Sequence, residues 1–155
     1  MRVFIALGSN LGDGADNLCQ AIDQIAKNYP IITRSSVLIT KAKYIEDQPD
    51  FYNQVIEVQG HGSALEMLAY LHQIEHDMGR VRTIKYGPRI IDLDIVFFGN
   101  QIINTNELQI PHPGLFERDF VLSPLNEIAP DFICPATGKT VRELYRKIKI
   151  DSIKI

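Results

Sequence analysis

Residues 90–98 read Ile90-Ile91-Asp92-Leu93-Asp94-Ile95-Val96-Phe97-Phe98, an apolar run interrupted by two aspartates that predicts a β-strand. Alternate residues of a strand point to the same face, so we expect Asp92 and Asp94 side by side, with Cα atoms about 6.5–7 Å apart. The side chains expected on the opposite face are Leu93, Ile95 and Phe97. Two adjacent carboxylates repel each other, and Mg²⁺ relieves this because it binds one or two carboxylates together with substrate phosphate oxygens. An isolated Asp-x-Asp pair is more often a strand face that only contacts water.

Segments with strand and helix patterns alternate along the chain before this strand. Strands are predicted at residues 3–7, 31–40 and 55–59 from their apolar, β-branched runs, and a helix at residues 16–28 from its apolar face. A second helix is expected after Ser63, which can form a capping box with Glu66, and Gly79 suits its C-terminal end.

The segments after residue 98 predict an additional hairpin and C-terminal helices. Gly99-Asn100 is expected to turn the strand back into residues 101–103, residues 114–129 predict two short helices, and Thr140 and Glu143 form a capping box for the last helix. The order βαββαβ, with these additions, predicts an α+β sandwich of ferredoxin-like type in which residues 1–155 form a single domain.

Composition excludes several classes of protein. The chain has 155 residues and a net charge of −3, which gives no bulk electrostatic case for nucleic-acid binding. Its two cysteines, Cys19 and Cys134, exclude a disulfide scaffold and fit a reducing, cytoplasmic location. No stretch approaches 18 consecutive apolar residues, so no membrane span is expected.

The residues before the Asp-x-Asp strand are strongly basic. Four cations stand within ten residues: Arg80, Arg82, Lys85 and Arg89. Arginine binds phosphate through two parallel hydrogen bonds, and cations beside paired carboxylates are typical of a polyphosphate–metal site. Further along, His112 stands between two prolines and Arg118 follows it. A basic run is often only a solvated loop, and a lone histidine is often structural.

Two phenylalanines are candidates for binding a flat ligand. Phe51 lies at the start of a strand, and Phe120 lies far downstream. If both reach one pocket they can sandwich a planar heterocycle, with the Asn53 amide bonding its edge; either one alone is compatible with a core position. The chain lacks the glycine-rich phosphate loop G-x-x-x-x-G-K-[ST], so a nucleotide is expected to be held by side chains and metal.

Several motifs together resemble one enzyme family. The segment Gly87-Pro88-Arg89-x-x-Asp92-Leu93-Asp94-Ile95-Val96 closely resembles the signature of the 6-hydroxymethyl-7,8-dihydropterin pyrophosphokinases (HPPK). Other segments resemble that family in the same order, namely Ala6–Gly12, Asp47–Asn53, Gly79–Arg82, Ile110–Pro113 and Glu117–Leu125. The chain departs from the family pattern where Lys41-Ala42-Lys43-Tyr44 replaces a proline-rich stretch, and where Tyr86 and Phe51 stand for tryptophan and tyrosine.

The resemblance implies a reaction and a set of roles. The terminal diphosphate of ATP passes to the 6-hydroxymethyl group of the dihydropterin, giving AMP and the pterin diphosphate in folate biosynthesis. The residues implied at the metal site, for two Mg²⁺ ions, are Asp92 and Asp94. Those implied in catalysis are Arg80, Arg82 and Asp94. Those implied around ATP are Glu75, Arg82, Tyr86, Arg89, His112 and Arg118. Those implied around the pterin are Thr40, Phe51, Asn53 and Phe120.

The expected partners are therefore ATP and a dihydropterin, with no nucleic acid and no membrane, and the expected state is a monomer. Two other functions remain open on the residues alone. Ferredoxin-like sheets commonly bind RNA, which the basic segment favours and the acidic pI near 5.8 does not. A metal-dependent phosphohydrolase would use the same aspartates.

Overall fold

The computed structural model describes residues 1–41, 49–79 and 89–153. The strands are β1 (Arg2–Ser9), β2 (Ile31–Arg34), β3 (Leu38–Thr40), β4 (Phe51–Gln59), β5 (Asp92–Phe98), β6 (Ile103–Asn104) and β7 (Gln109–Ile110). The helices are α1 (Gly14–Ala26), α2 (Ala64–Asp77), α3 (Asp119–Ile128) and α4 (Val141–Ile153), with a 3₁₀ turn at Leu115–Glu117. Within these ranges no helix is long and apolar enough to cross a membrane.

The main sheet is antiparallel, with the strand order β2-β4-β1-β5 and with β3 paired to the other end of β4. If β2 and β3 count as two halves of one strand, this is the sheet of a βαββαβ unit, in which the first and third strands are central. The predicted α+β, ferredoxin-like architecture is confirmed.

Both faces of the sheet are covered. On one face, alternate residues of β1 and β5 such as Ile5 and Leu93 pack with α1 and α2 in a large buried core. On the other face, Phe4, Val55 and Phe97 pack with α3 and α4. The C-terminal helices therefore form a third layer. They do not cover the ends of β1, β4 and β5 on this second face.

The strand predicted at residues 31–40 is broken in the middle. Ser35 bonds both backbone groups of Val55. Its N–H donates to the Val55 carbonyl (2.9 Å), and its Oγ accepts from the Val55 N–H (3.0 Å). Ser36 then turns toward α3, where its N–H and its Oγ each donate to the Glu127 carboxylate at 2.6 Å. Side chains that compete for backbone hydrogen bonds in this way interrupt a ladder, and the break directs β3 toward the open end of the sheet.

One predicted side-chain direction in β5 is wrong. Ile5 pairs with Ile95, but Phe4 pairs with Phe97, so Val96 is an extra residue in a β-bulge. The bulge resets the alternation, and Phe97 packs on the same face as Val96 instead of beside Leu93 and Ile95.

The predicted hairpin also differs from the observed one. Residues 101–103 do not fold back on β5; β6 pairs with β7 in a separate small sheet. The segment after β7 contacts β5 instead, because the His112 N–H donates to the carbonyl of the bulged Val96 (3.2 Å). The helix signals were more reliable: the capping box at Thr140 forms in both directions, and Ser63 Oγ caps α2 by accepting from the Glu66 N–H.

Candidate active site

A cavity of about 270 Å³ lies on the second face of the sheet, at the ends of β1, β4 and β5. Nine of the residues singled out in the sequence line it, namely Thr40, Phe51, Asn53, Arg89, Asp92, Asp94, His112, Arg118 and Phe120. They come from β3, from β4, from residues 89–94 at the start of β5, and from residues 112–120 between β7 and the first turn of α3. The fold therefore brings together residues up to 80 positions apart. Sequence reasoning missed three further polar residues in the lining, Lys41, Gln54 and Asp119.

Each candidate stacking ring carries a guanidinium over its face. The Arg89 guanidinium carbon lies 5.8 Å from the centre of the Phe51 ring, and the Arg118 guanidinium carbon lies 5.8 Å from that of Phe120. Such contacts are cation–π interactions. They place positive charge immediately beside the two aromatic walls.

The Asn53 amide is held in one orientation. Its Nδ2 donates to the Leu38 carbonyl (3.0 Å), to Thr40 Oγ1 (3.0 Å) and to the Phe51 carbonyl (3.3 Å). No donor bonds to its Oδ1 within residues 1–41, 49–79 and 89–153. This end of the cavity therefore presents a fixed hydrogen-bond acceptor to the N–H groups of a ligand.

Asp92 and Asp94 do share one face of β5, as the strand period predicts. They pair with Gly8 and Ala6 of β1, whose small side chains leave open space above the neighbouring strand. Their side chains are about one-third exposed, at 27% and 38%. Arg89 Nη1 lies 3.1 Å from Asp92 Oδ2, so part of the carboxylate charge is already compensated.

The β5 bulge positions His112. The Val96 carbonyl holds its backbone, while the Gly114 N–H donates to its Nδ1 (3.1 Å). The proton of the neutral ring is then on Nε2, which lies 3.8 Å from Asp94 Oδ2. Burial and the nearby Arg118 charge lower the pKa of His112, outweighing Asp92, which raises it. The imidazole is therefore a neutral Nε2–H donor in the cavity at neutral pH.

Asn10 is a buried residue that joins two segments at the rim of the site. Its Oδ1 accepts from the Arg89 N–H (2.9 Å), its own N–H donates to the Arg89 carbonyl (3.1 Å), and its Nδ2 donates to the Pro49 carbonyl (3.3 Å). Charge and aromatic patterns gave no indication of this role. The only signal was its place in the motif Gly8-Ser9-Asn10.

Comparison with known proteins identifies the family. The family model described as 7,8-dihydro-6-hydroxymethylpterin-pyrophosphokinase (HPPK) matches residues 4–130. The chain belongs to this family. The resemblance of the Asp92–Asp94 signature to HPPK is thereby confirmed.

Individual relatives agree with this assignment. The pyrophosphokinase of Haemophilus influenzae is 39% identical over 95% of this chain and 92% of its own length, and that of Bacillus subtilis is 41% identical over 87% and 82%. The Folic acid synthesis protein fol1 of Pneumocystis carinii is 43% identical over 98% of this chain. The chain spans about a fifth (21%) of the length of that protein.

A solved structure shares the fold. The Plasmodium falciparum HPPK-DHPS wild type with pteroate superposes with a TM-score of 0.78 at 19% identity, over 99% of this chain and 43% of that chain. At this identity the likeness supports the fold alone.

The donor set of this HPPK cavity fits magnesium. The described residues contain no group of three or more His, Cys, Asp or Glu side chains placed to hold a metal by themselves. They do supply two hard, part-exposed carboxylates on one strand face, and Mg²⁺ is usually bound by one or two carboxylates with the remaining positions taken by phosphate oxygens and water. HPPK enzymes use ATP, generally with magnesium, and Asp92 and Asp94 are the residues here that suit it.

The other predicted site residues are Glu75, Arg80, Arg82 and Tyr86. Arg80, Arg82 and Tyr86 lie outside the described residues. Glu75 lies on α2, across the sheet from the cavity, and its Oε2 accepts a hydrogen bond from the Leu93 N–H at 2.8 Å. Its side chain is buried. The structure therefore places Glu75 against the backbone of β5, and contact with ATP stays a prediction.

Replacing Glu75 by alanine is expected to lower stability. It leaves the buried Leu93 N–H without its acceptor, which costs about 1–3 kcal/mol of unfolding free energy. Urea unfolding measures this loss, and His72→Ala, at an exposed position of the same helix, is the control. Unchanged stability together with weakened ATP binding would instead assign Glu75 to the nucleotide.

Proposed function

We propose that this chain transfers the terminal diphosphate of ATP to the 6-hydroxymethyl oxygen of 6-hydroxymethyl-7,8-dihydropterin, as a step of folate biosynthesis. One observation carries the proposal. A single cavity combines two phenylalanine rings and a fixed amide acceptor with paired carboxylates and three side chains suited to phosphate, Arg89, His112 and Arg118. A flat, hydrogen-bonding heterocycle and a metal-bound polyphosphate are the two ligands that such a cavity accommodates together.

The residues around the heterocycle bind and orient it. Phe51 and Phe120 provide the two stacking faces, and Asn53 Oδ1 accepts from an N–H at the pterin edge. The Thr40 hydroxyl already accepts from Asn53 Nδ2. Its own O–H donates to no acceptor in the part of the chain that the structure describes, so it can donate to an acceptor on the ligand. Fixing the ring in this way places its 6-hydroxymethyl group toward the carboxylate end, which lowers the entropic cost of reaction.

The residues at the other end compensate phosphate charge. Arg118 and the neutral Nε2–H of His112 donate to phosphate oxygens, and Arg89 adds positive charge beside Asp92. Asp92 and Asp94 would hold the two Mg²⁺ ions, which when bound supply Lewis-acid stabilisation of the triphosphate.

The atom balance of the reaction is simple. The hydroxymethyl oxygen forms a bond to the β-phosphorus while the bond from that phosphorus to the α,β-bridging oxygen breaks, and AMP leaves. The hydroxyl proton is lost, and we assign its acceptance to the Asp94 carboxylate, whose Oδ2 lies 3.8 Å from His112 Nε2. Phosphoryl-type transfer relies on positioning and charge stabilisation, and this lining supplies both.

The product mixture tests the proposal. Incubation with ATP, Mg²⁺ and the hydroxymethyl dihydropterin is expected to yield AMP and a pterin diphosphate in equal amounts, resolved by ion-exchange chromatography. Omitting the pterin should abolish AMP formation. ADP as the main nucleotide product, or phosphate release without pterin, would overturn the proposal and favour a phosphohydrolase.

RNA binding is not favoured by the fold. A ferredoxin-like domain binds RNA on an open sheet surface, whereas α1 and α2 cover one face of this sheet and α3 and α4 pack on the other. We propose in addition that residues 1–155 act as one domain, since both cores share a single sheet. The monomeric state, the cytoplasmic location and the absence of nucleic-acid and membrane partners stay predictions.

A further inference from the structure

Gly114 lies between the two phosphate-facing residues of the cavity, His112 and Arg118. Its backbone angles are φ −84° and ψ −2°, which lie at negative φ and are those of the third residue of a type I turn, a position open to non-glycine residues. The glycine is therefore not required by the conformation of the chain at this point. The space around residue 114 shows what a side chain there would displace.

The Arg118 side chain occupies the space that a Cβ at position 114 would need. A Cβ built on Gly114 would lie 2.5 Å from Arg118 Nε and 2.7 Å from its Cζ. Carbon atoms do not approach other heavy atoms this closely, so the guanidinium and any side chain at position 114 exclude each other. The guanidinium packs directly on the Cα of Gly114.

In this position Arg118 has hydrogen-bond donors available for a ligand. It lines the cavity, its guanidinium carbon lies over the Phe120 ring, and within the described ranges it forms no ion pair with a carboxylate. A planar guanidinium with unused N–H groups suits a phosphate oxygen pair. This guanidinium lies against Gly114 where it lines the cavity.

We propose that Gly114 is a positioning residue for nucleotide binding, because the absence of its side chain makes the space in which Arg118 meets the ATP phosphates. This inference rests on the proposed function. The backbone of residue 114 has a separate role, since its N–H donates to His112 Nδ1 (3.1 Å). Alanine keeps that N–H and removes only the space, so Gly114→Ala isolates the effect on Arg118.

Gly114→Ala is expected to weaken binding of an unreactive, Mg²⁺-loaded ATP analogue about tenfold, since a charge-assisted hydrogen bond is lost. The melting temperature should stay close to that of the wild type, because Arg118 is a flexible side chain that can move aside. Pterin affinity, measured by calorimetry, should change far less than nucleotide affinity.

A double-mutant cycle with Arg118→Ala tests whether Gly114→Ala lowers ATP-analogue affinity by displacing Arg118. In the Arg118→Ala background the space is empty, so adding Gly114→Ala should cause no further loss of ATP-analogue affinity. Additive losses, or a Gly114→Ala variant with wild-type affinity, would overturn the positioning role. If the wild type itself produces no AMP, the proposed function fails instead, and the two failures are thereby distinguished.

Discussion

Asp92→Asn and Asp94→Asn are each expected to reduce turnover by orders of magnitude. Each substitution keeps the size of the side chain and its place on β5 but removes one negative charge from the face where the two carboxylates meet. A missing or displaced metal loses several kcal/mol of transition-state stabilisation. Asp92→Asn also removes the charge partner of Arg89, which lies 3.1 Å away.

Steady-state assay of AMP formation at several Mg²⁺ concentrations measures this effect. Asp23→Asn, an exposed position on α1, is the matched control and should behave as the wild type. Pterin binding should survive in both site variants, since the stacking rings are unchanged. Near-normal turnover of both variants at ordinary Mg²⁺ would show that these aspartates are not the metal ligands.

The face shared by Asp92 and Asp94 was predictable, whereas the end of the same strand was not. The two-residue period holds from Asp92 to Ile95, and every residue there follows it. Val96, Phe97 and Phe98 are all apolar, so the sequence pattern is equally satisfied with or without an extra residue. The bulge is fixed by tertiary contacts, including the hydrogen bond from His112 to the Val96 carbonyl.

The break between β2 and β3 was unpredictable for a related reason. Residues 31–40 are rich in β-branched side chains, and such a pattern favours a continuous strand. The interruption depends on Ser36 finding Glu127, which is 91 positions away in the sequence. Local propensity carries no information about such a partner.

The composition of the site was more predictable than its arrangement. Charge, aromatic spacing and family motifs together identified nine residues that the structure places around one cavity. Asn10 and Gly114 escaped notice because Asn10 acts through the hydrogen bonds of one buried residue, whereas Gly114 acts through the absence of a side chain. Neither property produces a pattern along the chain.

The second large effect is expected in the pterin pocket, where Phe51→Ala and Phe120→Ala should each weaken pterin binding. Losing one stacking face costs about 1–3 kcal/mol in comparable base–aromatic contacts, or roughly 5- to 150-fold in the dissociation constant. Asn53→Ala should act similarly, because it removes the acceptor and also leaves the Leu38 carbonyl without its donor (3.0 Å). The ATP-analogue affinity should change less in all three variants.

Calorimetric titration with pterin in the presence of an unreactive ATP analogue separates these effects. Phe116→Ala is the matched control, because Phe116 lies in the neighbouring 3₁₀ turn, is 39% exposed and does not line the cavity. The two rings differ in support: Phe51 is anchored within β4, whereas Phe120 is in the first turn of α3. If pterin affinity is unchanged in all three variants, the heterocycle binds elsewhere; if only Phe120→Ala has an effect, the ring is held from one side.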